Sequence, residues 1–198
     1  AKCLQRLERL DLPVPPTVAL SFEAVQKIAQ GEMPDIAAVV AEMPQGALMC
    51  VRPSSEDPDW GGPGAVLNIG INDARVKALS DTIGEEAAAS LYTRFVQSYS
   101  VNVARLDPDM FDDVTGDGHE ALVQSLKAYE VETEETFPQD PAVQLTAVLR
   151  SMARAWDGTS ARLLRQAKGA PADAASGLVV QQMAFGVGTG QCGSGVLQ

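Results

Sequence analysis

Apolar positions recur every third residue at Leu4, Leu7 and Leu10 among Arg6, Glu8 and Arg9, a spacing that predicts a short helix. Asp11-Leu-Pro13-Val-Pro15-Pro16 forbids its continuation, because proline lacks the N–H and its ring clashes with the preceding turn. Thr17–Leu20 reads as a short strand, and Ser21 as the N-cap of a helix through Gln30 that Gly31 closes. Two further apolar runs follow, Ala47-Leu-Met-Cys-Val-Arg52 and Val66-Leu-Asn-Ile-Gly-Ile71, and they predict a pair of strands. The connection between them, Pro53 to Gly64, has twelve residues, longer than a tight hairpin needs and of a length that is often functional.

From Asn72-Asp73 the pattern changes. Helix-forming residues dominate to about Arg165, with helices expected near 73–80, 84–105, 117–131 and 139–157. Phe137-Pro-Gln-Asp-Pro141 interrupts them, and Pro141 suits a first helical turn followed by the apolar face Val143, Leu145, Val148, Leu149 and Met152. After Gly169 the pattern returns to β, most strongly over 177–185. This order predicts an α+β (mixed α/β) fold with a discontinuous core: residues 1–72 plus 140–198 as one α/β subdomain, and 73–139 as a mostly helical insert. The chain begins at alanine and ends at Gly195-Val-Leu-Gln198 where an apolar strand starts, so both ends read as cut.

Several positions carry candidate chemistry. Arg52 offers a planar fork of N–H donors that suits phosphate oxygens, and Gly61, Gly62 and Gly64 let a backbone close over a bulky anion. Two plain readings stand beside that one: an arginine at a strand end that reaches water, and an idle surface loop. Trp60 either covers a ligand or caps the core. Gln181 is an odd residue to bury in mid-strand without a partner, so it faces a polar ligand edge or bonds neighbouring backbone. Met183 follows on the same face, where a thioether suits a flat base or, more commonly, the core.

Other motifs lose to simpler accounts. Gly188, Gly190 and Gly193 have the GxGxxG spacing, but only Val196, Leu197 and Gln198 follow Gly195, which leaves no room for the helix of a βαβ unit. A glycine-rich connection fits better, and it predicts that Val179–Phe185 pairs antiparallel with the residues after Gly193. No GxxxxGK[ST] loop occurs. Asp113 to Gly118 imitates a calcium loop, yet its twelfth position is Gln124, which cannot supply the bidentate carboxylate. His119, the only histidine, reads as an exposed residue at a helix start.

Composition narrows the partners. At 198 residues and 45% hydrophobic the chain can bury a substantial core, and a net charge of −11 argues against nucleic acid. Three scattered cysteines without a CxxC pair point to a reduced, cytoplasmic setting rather than to disulfides or zinc. No apolar run approaches the roughly 20 residues that span a bilayer, so no membrane partner is expected.

The arginine strand and glycine loop resemble the nucleotide-binding domain of the pyruvate phosphate dikinase and phosphoenolpyruvate synthase family, an ATP-grasp family. The Leu4/Leu7/Leu10 helix before Leu12-Pro-Val-Pro15, the strand Val66–Asp73, Phe137-Pro-Gln-Asp-Pro141, Trp156, Val180-Gln181-Gln-Met183-Ala-Phe-Gly186 and Gly193-Ser-Gly195-Val resemble it in order. The resemblance implies a partial ATP-grasp domain in which Arg52 holds ATP phosphates, the Gly61–Gly64 loop covers them, and Gln181 and Met183 border the adenine. The parent would pass ATP phosphoryl groups to a catalytic histidine and on to pyruvate. The family's phosphate-binding lysine falls just before Ala1 in an ungapped alignment, and Lys2 replaces it only with a small shift. Pro53 and Ala65 depart from the family's residues, removing an N–H and a hydroxyl. Mg2+ is implied with ligands beyond Gln198; no catalytic or metal residue is assigned within the chain. The implied partners are ATP, the remaining ATP-grasp subdomain and the phosphohistidine domain. The other reading is a non-catalytic scaffold module derived from the same fold.

Overall fold

Eight helices and four strands are seen in the computed structural model, which describes residues 2–60, 62–186, 191 and 193. They run α1 (Lys2–Glu8), β1 (Thr17–Leu20), α2 (Phe22–Gln30), α3 (Ile36–Ala41), β2 (Met49–Ser55), β3 (Val66–Ile69), α4 (Asp73–Ile83), α5 (Glu85–Asn102), α6 (Gly118–Thr133), α7 (Pro141–Asp157), α8 (Thr159–Ala167) and β4 (Ser176–Gln182). The fold is mixed α+β.

Local chemistry explains many of the boundaries. The Ser21 side chain accepts the Ala24 N–H and Gly31 stops α2 at φ 103°, while Asn72 caps α4 by accepting the Arg75 N–H. Asp140 caps α7 through the Ala142 N–H, with Pro141 in its first turn. The leucine stripe fares differently. α1 ends at Glu8, so Leu10 falls in the following turn at 69% exposure, and Leu7 is 40% exposed.

The sheet has the order β1-β4-β2-β3, antiparallel throughout. β4 is central: Leu178–Gln181 pairs with β1 on one edge, and Ser176–Gln182 pairs with β2 on the other. Both edges of Val179–Gln181 are thereby taken, so along these three residues the expected pairing with residues after Gly193 has no edge to use. The glycines Gly188 and Gly190 and the residues after Gly193 lie outside the described residues. Gly177 makes the close approach at this centre possible, because a Cβ there would meet the Leu20 carbonyl oxygen at 2.8 Å. β2 also runs three residues past Arg52, to Ser55 opposite Ser176, and this shortens the connection to β3. Pro53 is tolerated in it because β3 is registered only as far as Val51, leaving one neighbour beyond that point. Between Met49↔Ile69 and Val51↔Val66 the register slips by one residue, and Asn68, at φ 63°, takes up the bulge.

One sheet face carries Met49, Val51, Leu178 and Val180 into a core shared with Val25 and Ile28 of α2, Tyr92, Phe95 and Val96 of α5, and Leu145, Val148, Leu149 and Met152 of α7. Among the described residues, 73–139 contains helices and turns but no strand. The two ends of that segment are stitched together. The Asn72 amide donates to the Gln139 carbonyl at 2.8 Å, and the Asp73 N–H donates to the Gln139 side chain at 2.9 Å. Behind them, fully buried Gln144 accepts the Gly70 N–H at 2.7 Å and donates to the carbonyls of Ile71 and Pro138 at 3.0 and 2.7 Å.

Candidate functional site

Strand alternation places Thr17, Gln181, Cys50, Val179 and Arg52 on the sheet face opposite the helices α2, α5 and α7. Thr17, Gln181 and Cys50 lie directly across from one another on β1, β4 and β2, and Arg52 is one pleat further along. The side chains form a polar line across three strands. Arg52 Nη2 donates to Gln181 Oε1 at 2.5 Å, Gln181 Nε2 donates to Thr17 Oγ1 at 2.7 Å, and the Thr17 hydroxyl donates to the Pro15 carbonyl at 2.7 Å.

A guanidinium has five N–H donors, so this contact commits one and leaves four. Those four have no protein acceptor among the described residues, and Arg52 itself is half-buried. A planar cation with most of its fork unused, held at a sheet surface, suits a phosphate or carboxylate. The neighbouring Cys50 thiol is buried, which pushes its pKa up, with Arg52 pulling it partly back. It is poorly suited to act as a nucleophile.

The other candidates are placed less compactly. Met183 follows the end of β4, donates its N–H to the Leu48 carbonyl at 2.8 Å, and packs half-buried against the helix-side core. Gly61 lies outside the described residues. At Gly62 a Cβ would stand 3.4 Å from the Trp156 ring and 3.8 Å from Pro53 Cβ. Pro53 points to the face opposite Arg52, so the structure sets Gly62 against α7 rather than over the guanidinium. Gly64 has open space around it. Trp60 is half-buried, and the Lys168 ammonium donates to the Asp59 carbonyl, tying this loop to the end of α8.

Two further residues belong to this region. Thr17 completes the polar line, yet in the sequence it is one β-branched residue of a short strand; only the register reveals its role. Lys2 lines a cavity of about 530 Å³ with Ala19, Ser54 and Gly177, which the alternation puts on Arg52's face, and with Phe22 and Glu23. His119 lines a separate cavity near Asp73 and Tyr92, away from this face. Among the described residues no three His, Cys, Asp or Glu side chains converge as a metal site. No described helix is long and apolar enough to cross a membrane.

No family model matches the chain. Curated relatives do. The chain is 32% identical over 157 residues to pyruvate, phosphate dikinase of Rhizobium meliloti (strain 1021), covering 70% of this chain and 18% of that protein. It is 29% identical over 168 residues to the protein of the same name from Clostridium symbiosum, covering 75% and 19%. With pyruvate, phosphate dikinase 2 of Oryza sativa subsp. japonica the identity is 27% over 228 aligned positions, 98% of this chain and 26% of the relative. The chain thus spans between about a fifth and a quarter of the length of these relatives.

Proposed function

On the premise that the chain is related to the pyruvate phosphate dikinases, we propose that it is the ATP-binding part of a dikinase-like phosphotransferase, with an ATP-grasp architecture. The observation that carries this reading is Arg52, aimed by Gln181 on the face away from the core and with four N–H donors that meet no acceptor among the described residues. Those donors suit a triphosphate, whose oxygens accept bidentate, charge-assisted hydrogen bonds. Lys2, at the rim of the cavity that opens on the same face, adds a second cation within the same region.

In this reading residues 1–72 and 140–198 form the nucleotide-binding subdomain and 73–139 its helical insert. The hydrogen bonds that join Asn72 and Asp73 to Gln139 support the division, since an insert leaves and re-enters its host at one place. The glycine loop acts as the lid and must come off Trp156 to cover phosphates bound at Arg52. Gln181 and Met183 border the adenine in this reading, which requires Met183 to leave its packing against the helix-side core and turn toward the face of Gln181. Mg2+ assists the parent reaction through ligands outside the described residues, and no step here is assigned to it. The partners are ATP, the other ATP-grasp subdomain and the phosphohistidine domain, in a cytoplasmic enzyme that moves phosphoryl groups onto a histidine and on to pyruvate.

Phosphoryl transfer depends on positioning and charge neutralisation from both walls of a cleft, so this chain alone binds ATP without hydrolysing it. If a complete site binds near 1 μM, about −8.2 kcal/mol, half of that energy leaves roughly millimolar affinity. Calorimetric titration of the 198-residue chain with ATP, with and without Mg2+, is the test. Weak binding that Arg52→Ala abolishes supports the reading. Binding unaffected by Arg52→Ala, or none at the solubility limit of the nucleotide, favours the scaffold alternative.

A further inference from the structure

The line Arg52–Gln181–Thr17–Pro15 is directional, and its direction is set independently at both ends. At one end arginine only donates, so the amide must turn its oxygen toward Arg52. At the other end the Thr17 hydroxyl gives its proton to the Pro15 carbonyl and is left as an acceptor, so the amide must turn its NH2 toward Thr17. A single orientation of Gln181 satisfies both demands. Gln181 is 7% exposed, so water cannot easily substitute for either partner. Pro15 is followed by Pro16, whose carbonyl accepts the Gln182 N–H at 3.0 Å, so the segment that supplies the final acceptor is itself fastened to β4.

We propose that Gln181 is a positioning residue for Arg52, locked by Thr17 and the Pro15 carbonyl, and that it need not touch the base. The line ties the guanidinium of β2 through β4 to β1, fixing one N–H and leaving the others aimed at the ligand. This rests on the reading that Arg52 meets nucleotide phosphates. It changes the role of Gln181 within that reading, from lining the adenine to preorganising the phosphate contact, and it brings in Thr17, which otherwise has no assigned task. Preorganisation matters because an arginine side chain loses rotamer entropy when it is ordered by a ligand.

The test separates the network from the nucleotide reading. In the ligand-free chain, 15N NMR of the Arg52 Nε–H and the Gln181 side-chain amide, assigned by their loss in Arg52→Lys and Gln181→Met, reads the network directly. Thr17→Val should shift and broaden both signals, and Thr17→Ser should restore them. Gln181→Met, which removes both contacts at similar volume, should release the Arg52 signal in the same way and serves if Thr17→Val does not fold. ATP affinity should fall about three- to tenfold in Thr17→Val and return in Thr17→Ser, as expected for one lost hydrogen bond. Arg52 signals unmoved by Thr17→Val and by Gln181→Met would overturn the proposal. The expected NMR pattern in a chain that binds no ATP would uphold the network and refute the nucleotide reading alone.

Discussion

Gln144 uses three of its four amide hydrogen-bonding capacities on backbone groups of Gly70, Ile71 and Pro138, with its side chain fully buried. Replacement by methionine keeps the volume but strands a donor and two acceptors. We expect Gln144→Met to cost about 2–4 kcal/mol in urea denaturation, more than a net hydrogen bond is worth, because the partners stay buried and unpaired. Arg52 and Lys2 differ in the same terms. Arg52 is held by a side-chain partner, whereas Lys2 lines a broad cavity from a helix with no buried residue. Arg52→Ala should therefore weaken ATP binding by about 1.5–3 kcal/mol, and Lys2→Ala by less. Equal and negligible effects in calorimetry would show that the phosphates are not read by Arg52.

Among the elements, the short break between α6 and α7 does more than end a helix. Phe137 is 4% exposed and lies at the centre of an aromatic cluster, with ring centroids 6.0 Å from Tyr92, 5.6 Å from Phe95, and 5.2 Å from both Tyr99 and Tyr129. All four contacts are edge-on, the arrangement that aligns ring edges with ring faces. α5 supplies three of these rings and α6 one, so Phe137 fastens the two helices together as the chain leaves α6. Phe137→Ala should cost about 3–5 kcal/mol, and Phe137→Leu distinctly less, in thermal or urea unfolding. If the two variants unfolded alike, cavity formation at this cluster would not be the reason for the loss.

For the whole molecule, the chain has three tyrosines, and all three are in this cluster. Burial raises the pKa of each. For Tyr99 the value is pushed up to about 12 by burial and then by Tyr129 and Glu135; Tyr92 and Tyr129 move in the same direction, again chiefly through burial. A raised acid pKa means that the folded state keeps its proton longer than the unfolded chain, whose phenols titrate near about 10. The stabilisation is therefore complete below about pH 10 and is lost as the pH climbs through the folded values. Absorbance at 295 nm should show the native protein ionising late, with clearly less phenolate at about pH 10 than the unfolded chain, whose tyrosines are half-ionised there. The unfolding midpoint should fall with further increase in pH. Half of the tyrosine absorbance appearing at that pH in the native state would contradict the buried cluster.

Local chemistry in the sequence determined the mixed α+β class, the cap at Ser21, the glycine stop at Gly31, and the strand at Thr17–Leu20, because each depends on residues within a few positions of one another. Arg52 and Gln181 could be singled out for the same reason: one is a donor fork at a strand end, the other an amide in an apolar run. Their hydrogen bond was not legible, since it joins residues 129 apart and depends on β4 settling between β1 and β2. That placement also extended β2 through Pro53, drew Thr17 to Gln181, and closed both edges of Val179–Gln181 in the strand expected to pair beyond Gly193. It left Gly62 on the face of Pro53 and Trp156. Sequence pattern specifies which residues point to a common face of one strand, but which strand lies beside it is decided by the burial of the entire apolar face at once. Only the tertiary structure could decide that Gln181 meets an arginine on one side and a threonine on the other.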